Sequence, residues 1–301
     1  MDFLVGTSRY YDIVDYFWYE EGLPGEAYGG YKIPQLVQKG LEILRVTGYG
    51  RRHDSILYIG GGMPDVTVKL RSTLGNGYQE VIHQGDPATL AHNVMSNISE
   101  GAHLIQNAGA TPVFATVCPM DISLWNQHRL SKRKTSHLNY ISEYPAMQSL
   151  HQKTIEILND NIIKFNQDNG MQTPKGAKVV YQKKGAGLPY RLRSSRMQPD
   201  GCHLTPETTG EWIKLLKDTM NTNRIRLQDK PSYGLAYSSP CDRLSDDKVI
   251  PSTAETGSGY NTSESEDSNA SIYMREVVDK EREAKLAAEH FRKHPYLFIN
   301  Y

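Results

Sequence analysis

Phe3-Leu4-Val5-Gly6-Thr7-Ser8 opens the chain, and Asp200-Gly201-Cys202-His203-Leu204-Thr205-Pro206 falls near the end of its regularly patterned part. The first stretch reads as a short buried strand that runs into a turn carrying a hydroxyl. The second sets a carboxylate and an imidazole three residues apart, directly before a helix that Thr205 can cap and Pro206 can begin. Such an Asp accepts a hydrogen bond from one ring nitrogen of His203 and leaves the other free to take a proton. Ser8, at the end of the opening strand, is the candidate nucleophile.

Between these two stretches, short apolar runs alternate with longer helical patterns. Residues 56–59, 113–117 and 178–181 read as further buried strands. Residues 33–44 place Ile33, Leu36, Val37, Leu41 and Leu44 on one helical face. Residues 87–108 do the same with Leu90, Val94, Ile98, Ala102 and Ile105, and residues 146–166 with Leu150, Ile155, Leu158, Ile162 and Phe165. Residues 205–220 close the series with Trp212, Ile213, Leu216 and Met220. Strands separated by helices predict an α/β fold, a mainly parallel sheet with helices on both faces. Sites in such sheets gather beyond the carboxyl ends of the strands, where both Ser8 and the run Gly60-Gly61-Gly62 would lie.

The character changes after residue 228. Residues 229–271 are rich in Ser, Thr, Asp, Glu, Gly and Pro, and read as a disordered linker. Residues 272–301 read as a charged helix with Val278, Leu286 and Phe291 as scattered anchors and an aromatic tip. The expected organisation is therefore a domain over 1–228, a linker over 229–271 and a terminal helix over 272–301.

Composition sets limits. The 34 Lys and Arg balance the 34 Asp and Glu, which argues against a general nucleic-acid or membrane-surface footprint. No apolar run is long enough to span a bilayer. The amino terminus lacks the basic-then-apolar pattern of a secretory leader, and the first strand begins almost at once. Cys118, Cys202 and Cys241 are odd in number and widely spaced, which fits neither a disulfide framework nor a zinc ribbon. A reducing, cytoplasmic setting is expected. Neither a Walker loop nor a dinucleotide fingerprint occurs, and His290 with His294 makes a solvated pair rather than a metal site. No cofactor and no metal are expected.

A serine after the first strand, with Asp and His late in the domain, resembles the SGNH (GDSL-type) hydrolase family over roughly residues 1–225. The family's Gly-Asp-Ser reads Gly6-Thr7-Ser8 in this chain. The resemblance implies a flavodoxin-like sheet and esterase, lipase or deacetylase chemistry. Ser8 would attack, His203 would act as base, and Asp200 would orient it. It also implies an oxyanion hole built from the serine N–H, a glycine N–H and an asparagine side chain. Gly30 is the choice for the glycine, with Gly29 equally placed by sequence. The asparagine position falls on Gly62 or Met63, neither of which has a side-chain donor. A backbone N–H from the glycine run, Gly62 in particular, is the available substitute.

Lys183, Lys184, Arg191, Arg193 and Arg196 precede the Asp-His element in a glycine-containing loop. If that loop covers the site, it favours an anionic or phosphate-bearing substrate, with Arg191, Arg193 and Arg196 as binding residues. His128 to Lys134 would add to a basic rim in the loop after the 113–117 strand. Two functions are compatible with the sequence. One is a serine hydrolase acting on a small-molecule, carbohydrate or lipid ester. The other is a catalytically impaired binding module of the same fold, of mobile-element or viral origin, whose basic loops contact an acidic partner. Nucleic acid is the less favoured partner, and the terminal helix offers a protein contact through Tyr296, Leu297 and Phe298.

Overall fold

The computed structural model describes residues 2–47, 55–71, 79–83, 85–131, 144–183 and 190–229. The elements in chain order begin with Asp2–Thr7 (β1), Tyr11–Glu21 (α1), Gly25–Tyr28 (β2), Ile33–Thr47 (α2) and Ser55–Gly60 (β3). Next come Met63–Val66 (α3), Val68–Arg71 (β4), Gln79–Ile82 (β5), Pro87–Asn107 (α4) and Ala110–Phe114 (β6). The series ends with Ile122–Ser131 (α5), Tyr144–Asp168 (α6), Tyr181–Lys183 (β7), Tyr190–Leu192 (β8) and Pro206–Gln228 (α7).

The central sheet has the order β2-β1-β3-β6 with every pair parallel. This is the start of the flavodoxin-like strand order and matches the expected α/β class. Alternation along the strands builds two cores. Phe3, Val5, Leu57, Ile59 and Phe114 pack against α2, α4 and α6, while Leu4, Ile56, Tyr58 and Val113 pack against α1 and α7. Both strand faces are covered, so β1 and β3 are buried at every position.

The expected strand over 178–181 is a correction. Gly176–Val179 forms a 3-10 turn, and β7 pairs antiparallel with β8 outside the central sheet. Side chains of α6 occupy the outer edge of β6 instead. Pro112 has no N–H to offer there. The Asn166 carboxamide accepts from Phe114 N at 3.2 Å and donates to Phe114 O at 2.7 Å. The Asn159 carboxamide treats Val117 the same way, at 2.7 and 3.0 Å. Thr116 N donates to Pro174 O at 2.9 Å. The edge is thus closed without another strand, which answers the exposure that edge strands otherwise carry.

The phase of α6 differs from the apolar pattern in the same way. Leu150 is 42% exposed, whereas His151, Thr154, Asn159 and Asn166 are buried with Ile155, Leu158 and Ile162. The expected loop around His128 is also a correction, since α5 carries His128 and Arg129 in its last turn and runs to Ser131. The rest of that basic run, residues 132–134, lies outside the described residues. The expected linker and terminal helix lie outside them as well, apart from Asp229. No helix among the described residues is long and apolar enough to cross a membrane.

His151 and His83 meet edge to face at 5.6 Å between ring centroids. Burial, with the neighbouring His83 and Arg9 adding to it, pushes the His151 imidazole down to about 3. The unfolded chain then takes up a proton near pH 6.5 that the folded chain refuses. Stability is complete above about pH 6.5 and is lost as pH falls toward 3, by up to about 1.4 kcal/mol per pH unit for this group. Urea denaturation of His151→Gln beside the parent, from pH 7.5 to pH 5, should show the variant losing less stability on acidification than the parent.

Candidate functional site

The carboxyl ends of β1 and β3 carry Gly6 and Gly60, which are register partners. The ring of Tyr10 lies across both: a Cβ on either glycine would fall inside it. With the ring seated there, the chain turns sharply after Thr7 into a 3-10 turn over Ser8–Tyr10, and Ser8 stands on the rim. Gly61 packs against Leu36, and Gly62 takes a left-handed φ of 98° at the start of α3. Packing and turn geometry therefore account for the whole glycine run.

The opposite wall is the turn before α7. Asp200 Oδ1 accepts the backbone N–H groups of Cys202 at 2.8 Å and His203 at 2.9 Å. Its Oδ2 lies 2.5 Å from His203 Nδ1, and His203 Nε2 lies 3.2 Å from Ser8 Oγ. Ser8, His203 and Asp200, distant in sequence, thus form one continuous hydrogen-bonded chain. Burial pushes the Asp200 carboxyl up, but the His203 ring and the two N–H groups outweigh it and hold the group well below the ordinary carboxylate range. Thr205 accepts from Thr208 N at 3.3 Å and Pro206 opens α7, as the sequence predicts. Gly201, at φ 65°, sits against Asp121 and Leu124, and Asp121 N donates to Gly201 O at 2.8 Å. This ties the turn to the start of α5.

A cleft of about 230 Å³ opens beside Ser8. Gly29 and Gly30 line it, as do Met63, Met120, Trp125 and Cys202. Gly29 N donates to Tyr11 Oη at 3.1 Å, whereas the Gly30 N–H has no acceptor among the described residues, which separates the two glycines that sequence left equal. Gly62 does not line the cleft. Nor do Arg193 and Arg196, the latter pairing with Glu211 at 2.5 Å; the side chain of Arg191 lies outside the described residues. Among the described residues the cleft's arginines are Arg9, which the sequence did not single out for the site, and Arg129, which belongs to the His128–Lys134 run expected to add to a basic rim. Adjacency to Ser8 was the one signal for Arg9. Trp125 gave none, because α5 has almost no amphipathic pattern. No group of three metal-ligating side chains occurs among the described residues.

No family model matches the chain, and no curated protein matches it. It is similar to several solved structures. A Bacteroides fragilis protein described as an acylhydrolase shares 15% identity at TM-score 0.49, covering 74% of this chain and 87% of that one. A GDSL-like lipase from Bacteroides thetaiotaomicron shares 15% at TM-score 0.47, covering 73% and 87%. The esterase EstA from Pseudoalteromonas sp. shares 11% at TM-score 0.38, covering 73% and 97%. At these identities and scores the likenesses carry no argument about substrate or mechanism.

Asp65 links the two glycine-bearing loops. Its carboxylate oxygens accept Ile33 N at 3.1 and 3.3 Å, which fixes the start of α2 just after Gly30. Burial pushes the Asp65 carboxyl up to about 6, against the pull of the Ile33 N–H and Lys32. The folded chain therefore holds a proton that the unfolded chain releases near pH 4, and this contribution to stability fades as pH rises toward 6. Asp65→Asn should gain on the parent over that interval, by at most roughly 3 kcal/mol, in a pH series of thermal or urea unfolding.

Proposed function

We propose that the chain is a serine hydrolase that cleaves an ester or acetyl group. The observation that carries this reading is the unbroken path from Ser8 Oγ to His203 Nε2 and from His203 Nδ1 to Asp200. A serine hydroxyl is a weak nucleophile until a base accepts its proton, and His203 stands within reach to do so. Ser8 Oγ attacks the carbonyl carbon as its proton passes to His203 Nε2. Asp200 holds the ring and stabilises the imidazolium that forms. The proton then passes to the departing alkoxide, leaving the acyl group on Ser8. Water, deprotonated by the same ring, attacks the acyl carbon; the acyl–Oγ bond breaks, His203 returns the proton to Ser8 Oγ, and the acid leaves.

The Ser8 and Gly30 N–H groups receive the developing oxyanion in this mechanism. Gly62, which does not line the cleft, is left out of this hole. With no asparagine side chain to help, the hole has one donor fewer than the family pattern implies, a loss that typically costs about 10²–10³ in rate. Slow turnover is the expectation.

The test is hydrolysis of p-nitrophenyl acetate by the full chain beside Ser8→Ala and Asp200→Asn. Ser8→Ala should fall to the solution background, and Asp200→Asn should lose about 10⁴ in kcat. Equal rates in the parent and a folded Ser8→Ala protein would overturn the nucleophile assignment and favour a binding module.

A further inference from the structure

We propose that the cleft beside Ser8 takes esters bearing an anionic oxygen group, a carboxylate or a phosphate, and that Arg9 and Arg129 hold that group. The role of Ser8 in this proposal rests on the hydrolase reading above; the binding of the anion does not.

Among the described residues the cleft is lined by two arginines, Arg9 and Arg129, and by no Asp or Glu. Arg9 is half-buried directly after the nucleophile. Its Nη1 donates to the Cys118 carbonyl and its Nη2 to Cys202 Sγ at 3.4 Å, while its buried Nε has no acceptor. A guanidinium has five N–H donors, so these two contacts fix its plane and leave donors available. Asp200 influences Arg9 through space, but both Asp200 oxygens are already committed to His203 and Cys202.

Arg129 lies 5.6 Å from the centroid of the Trp125 ring, which stands 6.4 Å from the His203 ring. Stacking on an aromatic face holds a guanidinium without consuming its N–H groups. Among the described residues neither Arg9 nor Arg129 has a carboxylate partner. The contrast with two other arginines is informative: Arg196 pairs with Glu211 and Arg224 with Asp2. Keeping a partly desolvated cation without a counter-ion is costly unless something else supplies the negative charge. Met63, Pro64 and Met120 line the cleft with apolar surface, which strengthens any charge pairing inside it. A substrate anion completes the balance.

The test separates binding from turnover. Full-length Ser8→Ala protein is titrated calorimetrically with monomethyl succinate, with 2-acetoxyethyl phosphate and with the neutral dimethyl succinate. At least one anionic ester should bind about tenfold or more tighter than dimethyl succinate at low salt. The stronger of the two anions identifies carboxylate or phosphate as the preferred group. That advantage should shrink severalfold at high salt and when Arg129→Gln is added. Equal binding of the neutral ester, or a preference that survives both salt and Arg129→Gln, would overturn the proposal. The salt series decides the matter if Arg129→Gln fails to fold. The parent protein is then assayed for release of alcohol from the same esters. An anion preference without Ser8-dependent turnover would leave the binding site standing and overturn the hydrolase reading alone.

Discussion

The Tyr10 ring, laid across the paired glycines Gly6 and Gly60, is the constraint on which the site depends. Two neighbouring strands must both lack a Cβ at their ends for a ring to lie flat on them. Once it does, the chain can reverse immediately after β1 and leave Ser8 on the rim. The same ring meets Trp212 edge to face at 6.1 Å between centroids, and Trp212 packs against Gly176. Trp212 belongs to α7, whose first turn follows the Asp200–His203 segment. One aromatic column therefore connects the strand that carries the hydroxyl to the helix that positions the imidazole.

Polar groups do the remaining alignment. Asp200 uses one oxygen to fold its own turn and the other to orient His203, so local shape and ring orientation share a single side chain. Asp65 ties the start of α2 to the exit of β3 in a comparable way. At the far edge of the sheet, Asn159 and Asn166 use both ends of their carboxamides on the backbone. A carboxamide suits that task because it donates and accepts, as a peptide group does.

What the sequence made legible followed from simple periodicity. The strand into Ser8, the helices α2, α4 and α7, and the Asp200–His203 turn with its Thr205 cap all have strong local signals. Several of the misses share a cause: the deciding contacts are tertiary. In α6 the inward positions include His151, Asn159 and Asn166, so apolar counting put Leu150 on the wrong side. Four-residue β2 is too short to announce itself, and aromatic residues on both sides of α1 blur its stripe. Residues 178–181 look like a strand because Val179, Val180 and Tyr181 favour one, yet carboxamides from α6 already fill the edge where it would pair. Arg9 is visible in the sequence, but its partial burial and its lack of a carboxylate partner among the described residues are not.

The closure of β6 by α6 also orders events in time. Phe114 and Asn166 are 52 residues apart, so the strand leaves the ribosome well before the side chain that caps it. At ordinary elongation rates that interval is roughly 3–10 s, long compared with hairpin or helix formation. During it the nascent sheet presents an open edge of the kind that recruits foreign strands. The absence of an N–H at Pro112 shortens that exposed ladder from the moment it is made, and so guards the chain through synthesis before the asparagines arrive.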